Sequence, residues 1–205
     1  MITDVTGILL AGGKSRRMGE DKRFMLVGQR TLFESSCAVL CDLFEQVCVV
    51  IAQDSPPLDL EIPVTRDLIP SCGSLGGLYT GLQWARTHHI FLTACDMPFL
   101  NSDVIRYMVG LKDQGDIVIG RWATRLQPTH AVYSRACMPV IEEMIKLHNR
   151  KIHNMVSHPA LCSRIVAEDE ISAFDPDGRS MFNINTPSDL EKARSVHDAG
   201  PGSGR

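Results

Sequence analysis

The sequence of 205 residues lacks several features that would each point to a particular class of protein. It has no apolar run of membrane-spanning length, and its first residues, MITDVTG, lack the basic start and long apolar core of a signal peptide. Its net charge of −3 argues against broad, sequence-independent binding of nucleic acid, which needs a positive surface. We therefore expect a cytoplasmic protein whose partners include neither a membrane nor a nucleic acid.

Cysteine and histidine are present, but in no arrangement that indicates a disulfide framework or a metal centre. The seven cysteines include no C-x-x-C pair, and an odd number of them cannot all pair with one another. Most lie in apolar surroundings, as in Val47-Cys48-Val49, which favours reduced thiols in the core. No two of the seven histidines show metal-ligand spacing with a third partner.

The stretch ILLAGGKSRRMGEDK, residues 8–22, carries the strongest functional signal in the chain. It opens with an apolar run that is typical of the end of a buried strand. Gly12 and Gly13 follow, and a turn without Cβ atoms exposes backbone N–H groups that can surround an anion. The next side chains can donate charge-assisted hydrogen bonds to phosphate oxygens, which predicts a polyphosphate-binding loop. These cations are Lys14, Arg16, Arg17, Lys22 and Arg23.

Two familiar phosphate-binding motifs do not fit this stretch. Gly13-Lys14-Ser15 is like the end of a Walker A motif, but Ile8 stands where that motif needs a glycine. A G-x-G-x-x-G pattern is absent, because Gly12 and Gly13 are adjacent and the next glycine is Gly19. The alternative is an ordinary surface turn beside a solvated run of charges, and the density of cations argues against it.

Strand and helix patterns alternate along the chain. Apolar and β-branched runs predict strands that end near residue 11 and strands at 47–52, 62–65, 89–95, 116–120, 129–134, 163–167 and 181–184. Helices are predicted from a capping box at Thr31 and Glu34 to residue 45, from the glycines at 73–77, from Asn101 or Ser102 to 111, at 140–147, at 150–158, and from Thr186-Pro187 to residue 195. Residues 121–128 are predicted to form a loop. The alternation predicts an α/β fold, a three-layer α/β/α sandwich in one domain of residues 1–197, with a flexible tail at 198–205.

Polar residues and glycines follow the ends of several predicted strands, where ligands bind in sheets of this class. Asp96 comes after a fully apolar strand, and a carboxylate near a polyphosphate loop suits Mg²⁺, although a helix cap or a turn would also explain it. Asp67 is a second candidate, but the neighbouring Arg66 offers a plain salt bridge. Gly73 could lie against a nucleotide or only against another element. The residues that come just past the ends of predicted strands are Gly12, Gly13, Asp67, Asp96, Asn183 and Asn185.

The residues of the first loop resemble the signature of the molybdenum cofactor guanylyltransferases, a group of nucleotidyltransferases. The matching motif is Leu10-Ala11-Gly12-Gly13-x-Ser15-x-Arg17-Met18-Gly19-x-Asp21-Lys22. Further matches are Gly73-Ser74-Leu75-Gly76-Gly77-Leu78, Cys95-Asp96-Met97-Pro98, and Asn183-Ile184-Asn185-Thr186-Pro187 with Asp189-Leu190. The resemblance covers nearly the whole chain, from Thr6 to about Ala193.

This resemblance implies a Rossmann-like, mostly parallel mixed sheet, as in the nucleotide-diphosphosugar transferases, and a transfer of GMP from Mg-GTP to the phosphate of molybdopterin. It implies that the guanine nucleotide is held by Leu10, Ala11, Gly12, Gly13, Lys22, Asp67, Gly73 and Asp96. Arg17 and Lys22 would stabilise charge on the transferring group and on pyrophosphate, Asp96 would bind Mg²⁺, and Asn183 and Asn185 would face the pterin. Chaperones of molybdoenzymes and other cofactor-biosynthesis proteins are expected partners. One departure is Ile51-Ala52-Gln53, where the family often has a small polar residue or Asn on the nucleotide.

The residues agree with such a transfer on chemical grounds. A phosphate monoester is largely dianionic near neutral pH, so no general base is required, and no Ser–His or His–Asp arrangement is evident. His130 opens a predicted strand beside the expected acceptor cleft, but a satisfied core or surface histidine explains it better. The alternatives are a cytidylyltransferase or sugar-phosphate nucleotidyltransferase of the same fold, and a non-catalytic GTP-binding module.

Overall fold

The computed structural model describes residues 1–12 and 21–199 as alternating strands and helices. The strands are β1 Val5–Leu10, β2 Leu26–Val27, β3 Arg30–Thr31, β4 Val47–Ile51, β5 Val64–Arg66, β6 His89–Ala94, β7 Ile117–Trp122, β8 Arg125–Ser134 and β9 Ser163–Val166. The α-helices are α1 Leu32–Leu43, α2 Gly73–Trp84, α3 Ser102–Gly110, α4 Cys137–Lys146, α5 Glu168–Ser172 and α6 Pro187–Asp198. Short 3-10 helices lie at Lys22–Phe24, Lys112–Gln114, Ile152–Ser157 and Arg179–Met181. Within the described ranges, no helix is both long enough and apolar enough to cross a lipid bilayer.

The main sheet has seven strands in the order β5-β4-β1-β6-β8-β7-β9. All of its pairings are parallel except those of β8, which runs antiparallel to both β6 and β7. At the carboxyl end of β1, Leu10 is opposite Val50 of β4 and Ala94 of β6. Three strands therefore end side by side, and the predicted mostly parallel mixed sheet is confirmed.

Two helical layers cover the sheet, because its central strands are apolar on both faces. Every residue of β1 and β4 is buried, as expected for strands in the middle of a parallel sheet. Side chains of α1, α3 and α5 pack on one face, and those of α2 and α4 pack on the other. This arrangement confirms the predicted three-layer sandwich.

A smaller apolar cluster attaches the last helix to the segment that follows the first loop. Leu190 and Ala193 of α6 and the preceding Ile184 pack against Met25 and Val27. The sequence places these residues far apart, and the cluster brings residues 183–185 beside the 3-10 helix that begins at Lys22.

The predicted starts of α1 and α6 are confirmed at atomic detail, whereas α4 begins at Cys137, three residues before the predicted start. In α1, the backbone N–H of Glu34 donates to the Thr31 hydroxyl over 3.1 Å, and the N–H of Thr31 donates to the Glu34 carboxylate over 2.8 Å. Helix α6 has Thr186 as its cap and Pro187 in its first turn.

The strand predicted at 181–184 is wrong. Residues 179–181 form a 3-10 helix, and the extended residues after it pair with no strand of the described chain. The N–H of Ile184 instead donates over 2.8 Å to the carbonyl of Asp96. Asn183 and Asn185 therefore do not follow a strand end, although their segment still reaches the carboxyl edge of the sheet.

The loop predicted at 121–128 is also wrong. Strands β7 and β8 continue through Trp122 and from Arg125, and only Ala123 and Thr124 join them. Both of these residues have positive φ, 43° and 68°, as in the tightest hairpin turns. Such turns favour Gly, Asn or Asp, so this sequence contains no recognisable hairpin signal. The helix predicted at 150–158 is a 3-10 helix.

Candidate active site

A cavity of about 970 Å³ opens at the carboxyl edge of β1, β4 and β6, where the ends of parallel strands meet. Its walls come from the strand ends, the start of α2 and the segment that begins at Asp21. Of the site residues predicted from the sequence, the lining includes Leu10, Ala11, Gly12, Lys22, Asp67, Gly73 and Asp96. Gly13 and Arg17 lie outside the described residues, as do Lys14 and Arg16.

Lys22 is the hub of a polar cluster at the rim of this cavity. Its ammonium donates to the carbonyl of Ile184 over 2.7 Å and to the side-chain oxygen of Asn185 over 3.4 Å. The same nitrogen lies 3.9 Å from the Asp96 carboxylate, with both side chains largely covered. Lys22 thus joins the segment after the first loop, the end of β6 and the segment that leads to α6.

Asp96 is contacted from two sides, and its side chain is only 23% exposed. The amide of Asn183 donates to one carboxylate oxygen over 3.3 Å, and Lys22 lies beside the other. Burial raises the pKa of Asp96, while Lys22 and the Asn183 amide act in the opposite direction. Helix α3 is capped by Asn101, so a helix cap does not explain Asp96. A nearby cation stabilises the charged form of a carboxylate in such a setting.

The donor set suits a hard divalent ion that takes most of its ligands from elsewhere. Among the described residues, no group of three or more His, Cys, Asp or Glu side chains is close enough to hold a metal. Mg²⁺ often uses one or two carboxylates and completes its shell with phosphate oxygens and water. Asp96 at the edge of an open cavity fits that pattern. The described residues do not form a closed metal site in which the protein supplies every ligand.

Gly12 itself lies close against the end of the neighbouring strand β4. A Cβ atom built on Gly12 would lie only 2.6 Å from the backbone nitrogen of Ala52. Backbone atoms cannot move aside as a flexible side chain can, so a larger residue here must displace either the loop or β4. The glycine therefore sets how closely these two walls of the cavity approach.

Asp67 belongs to a hydrogen-bond network with α2 and not to a salt bridge with Arg66. Its carboxylate accepts from the N–H of Ile69 over 3.0 Å and from the Thr80 hydroxyl over 3.2 Å. A Cβ atom on Gly76 would lie 2.9 Å from both carboxylate oxygens, so this glycine leaves room for the half-buried carboxylate. Burial raises the pKa of Asp67, and the two hydrogen bonds oppose that rise.

Arg66 has different partners from the one that the sequence suggested. One guanidinium nitrogen, Nη1, donates to the carbonyl oxygens of Ala52, Gln53 and Ser55. Arg23 lines the cavity, where it is buried and paired with Asp21 through Nε and Nη2, while its Nη1 has no hydrogen-bond partner among the described residues.

His130 is a core residue, although a less satisfied one than expected. It is fully buried, and its ring meets that of Phe91 edge to face with centroids 5.2 Å apart. Neither ring nitrogen has a hydrogen-bond partner among the described residues, and burial lowers the pKa of His130 to about 4. Side chains alternate along β8, so Thr129 lines the cavity while His130 points to the opposite face of the sheet.

Several parts of the cavity wall were missed from the sequence, among them Pro70 and Ser71 before α2. Thr129 lines the cavity and lies on a strand that was predicted from its apolar residues alone. Successive side chains of a strand point to opposite faces, so counting in steps of two from those apolar residues would have identified Thr129. Residues 54 and 55 also line the cavity together with Gln53. No local pattern marks them, because their position depends on Arg66, which is more than ten residues away along the chain.

The comparisons with known proteins agree with this fold. Residues 7–163 match the MobA-like NTP transferase domain. The chain is 37% identical over 204 residues to the molybdenum cofactor guanylyltransferase of Desulfosudis oleivorans, covering 96% of this chain and 97% of the relative. It is 36% identical over 189 residues to the probable molybdenum cofactor guanylyltransferase of Pelotomaculum thermopropionicum, covering 92% and 91% of the two chains.

A solved structure shares the fold. The crystal structure of molybdopterin-guanine dinucleotide biosynthesis protein A from Archaeoglobus fulgidus superposes with a TM-score of 0.80 at 24% identity, covering 95% of this chain and 99% of the other. The family match spans most of the chain, and the two curated relatives are covered over nearly their whole length. The chain therefore belongs to the MobA-like NTP transferase family and is a nucleotidyltransferase.

Proposed function

We propose that this protein transfers GMP from GTP to the terminal phosphate of molybdopterin, giving molybdopterin guanine dinucleotide and releasing pyrophosphate. The observation that supports this most directly is the meeting of Lys22, Asp96 and Asn183 at one rim of the cavity, in a chain that matches guanylyltransferases over nearly its full length. This rim lies between the wall assigned to the nucleotide and the segment assigned to the acceptor.

The nucleotide would lie between the first loop, β4 and α2. Leu10, Ala11 and Gly12 would offer backbone groups to it, and Gly73 would allow its close approach at the start of α2. Asp67, half-buried beside α2, would accept a hydrogen bond from the nucleotide. Gly13 and Arg17, which lie outside the described residues, would contribute to phosphate binding.

The chemistry needs positioning and charge neutralisation more than proton transfer. The attacking phosphate is already largely dianionic near neutral pH, so it needs no general base. Lys22 would donate to phosphate oxygens as negative charge develops on the departing pyrophosphate, and Arg17 would do the same from the first loop. Asp96 would hold a divalent cation, which we propose is Mg²⁺ and which supplies charge neutralisation for the phosphates when bound.

The acceptor would lie against the segment before α6. Asn185 is positioned by its contact with Lys22, and Asn183 is positioned by its contact with Asp96. Each amide carries both a donor and an acceptor, which suits the polar edge of a pterin. The acceptor phosphate would then lie on the far side of Asp96 from the nucleotide base.

Three expectations about the protein's setting accompany this proposal. We propose that residues 1–197 work as one nucleotidyltransferase domain, that the protein acts in the cytoplasm, and that it passes its product to cofactor-biosynthesis proteins or chaperones of molybdoenzymes. The near-complete coverage of guanylyltransferase relatives supports the first expectation. The others follow from the substrates.

The direct test is release of pyrophosphate from GTP, CTP, ATP and UTP, each with Mg²⁺ and with or without molybdopterin. We expect release from GTP only when molybdopterin is present. Release from CTP instead would move the protein to a cytidylyltransferase activity on the same fold. Binding of GTP without release from any nucleotide would favour the non-catalytic GTP-binding module.

A further inference from the structure

One wall of the nucleotide cavity is a short loop, residues 52–55, that follows β4. Gln53 and Ser55 line the cavity, and Gln53 is exposed to it. The loop is tight, because the N–H of Ser55 donates to the carbonyl of Ala52 over 3.1 Å. It also starts at the backbone nitrogen that leaves no room for a side chain on Gly12. A shift of this loop would therefore change the shape of the cavity where a nucleotide binds.

Arg66 holds this loop from outside the cavity. Its Nη1 lies 2.7 Å from the carbonyl oxygen of Gln53, 2.9 Å from that of Ser55 and 3.3 Å from that of Ala52. Three carbonyl oxygens that converge on one point repel one another unless a cation lies between them, and hydrogen bonds from a charged donor are stronger than neutral ones. Arg66 is not itself among the described residues that line the cavity. Its contacts with the loop are therefore the route by which we expect it to affect a nucleotide.

Gln53 is a side chain of this loop with the chemistry to recognise a base. The amide of Gln53 offers an oxygen that accepts and a nitrogen that donates, which together match the N1–H and O6 of guanine. The same pair of groups can also bond to edges of other bases, so the residue type alone gives little selectivity. Selectivity then depends on where the loop places this amide relative to the rest of the cavity.

We propose that Arg66 is a positioning residue that fixes residues 52–55 and so makes the cavity select guanine over other bases. This inference rests on the proposed use of GTP, and it identifies how that choice is made in a chain with glutamine at position 53. Arg66 terminates β5, whose pairing with β4 fixes the start of its side chain relative to the start of the loop.

The test compares four variants by the equilibrium dissociation constants of GTP, CTP and ATP in the presence of Mg²⁺, measured by calorimetry. The variants are Arg66→Ala, Arg66→Lys, Gln53→Ala and the double variant Arg66→Ala with Gln53→Ala. The control is Arg86→Ala, which removes an exposed arginine beyond the end of α2. Thermal unfolding of each variant shows whether it is folded.

We expect Arg66→Ala to weaken GTP binding by about tenfold and to change CTP and ATP binding much less, so that most of the preference for GTP is lost. Arg66→Lys keeps a donor and a charge, and it should recover part of the preference. In the double variant, loss of Gln53 should add little to the loss of Arg66, since an unfixed loop no longer places the amide. Arg86→Ala should bind all three nucleotides as the parent does.

Three results would overturn the inference. One is a folded Arg66→Ala protein that keeps its preference for GTP, and another is a loss of affinity by the same factor for all three nucleotides. The third is a Gln53→Ala effect of the same size with and without Arg66. If Arg66→Ala fails to fold, the Arg66→Lys variant tests the inference in its place. Its hydrogen bonds to the loop are weaker, so an unchanged preference for GTP in this variant would also refute the inference. Binding needs no turnover, so a failure to transfer GMP to molybdopterin would refute the proposed function and leave this test intact.

Discussion

The two sides of the cavity are built in different ways. On the nucleotide side, Gly12 lies two residues after β1 and Asp67 follows directly after β5, so the sheet fixes their positions. On the acceptor side, Asn183 and Asn185 lie on a segment without a strand. Two long-range hydrogen bonds hold that segment in place. One joins Asn183 to Asp96 across 87 positions of the sequence, and the other joins Lys22 to Ile184 across 162 positions.

This difference shows that a cavity can combine a rigid wall with one that depends on a few long-range bonds. Asp96 belongs to both sides, because it follows β6 and also accepts the hydrogen bonds that hold residues 183 and 184. Changes at Asp96 should therefore affect the whole site, whereas changes on either side should affect one substrate more than the other.

The largest effect is expected at Asp96, where the two sides meet. Asp96→Ala removes the proposed cation ligand and the acceptor for the Asn183 amide, and we expect transfer to fall by about 10³-fold in a protein that still folds. Pyrophosphate release measures the loss, and thermal unfolding measures the fold. Asp42→Ala, which removes an exposed carboxylate from α1, should leave both unchanged. Near-normal turnover of Asp96→Ala would remove Asp96 from the proposed role.

A second change should break only the nucleotide side. Gly12→Ala places a methyl group 2.6 Å from the Ala52 nitrogen, so the first loop and β4 must separate, and we expect GTP affinity to fall by at least about tenfold. Calorimetric titration with GTP measures the effect. Gly110→Ala is the matched control, because its added Cβ meets nothing within 4 Å. Equal GTP affinity in Gly12→Ala and the parent would contradict the close packing described here.

A third change should weaken mainly the acceptor side. Asn183→Ala removes one hydrogen bond to Asp96 and a proposed contact to the pterin, so we expect the KM for molybdopterin to rise by several-fold up to about tenfold. The dissociation constant of GTP should change by less than about twofold. A variant that loses GTP affinity and keeps its KM for molybdopterin would show that the two sides are not separate in this way.

The same contrast explains how much could be predicted from the sequence. The strands β1, β4 and β6 and the caps of α1 and α6 depend on local apolar runs and capping residues, so they were predicted correctly, and Asp67 and Asp96 were placed at the sheet edge. The segment at 181–184 has an apolar, strand-like composition, but it pairs with no strand among residues 1–12 and 21–199, and sequence reasoning does not show that. The contact of Arg66 with residues 52–55 arises only when β4 and β5 pair, so a simple charge rule assigned Arg66 to Asp67.

The smallest effect on activity is expected at His130, on the face of the sheet away from the cavity. Its pKa is lowered to about 4 in the folded protein, whereas an unfolded imidazole titrates near 6.5, so the unfolded chain binds more protons between these values. The free energy of unfolding should therefore fall as the pH drops from 6.5 towards 4, by up to about 3 kcal/mol from this residue. His130→Leu should remove that part of the pH dependence and leave transfer at neutral pH nearly unchanged. Urea unfolding at a series of pH values measures it, with the exposed His153→Leu as the control. If both variants keep the same acid-dependent loss as the parent, burial of His130 is not its cause, and the two faces of β8 differ less in function than the structure indicates.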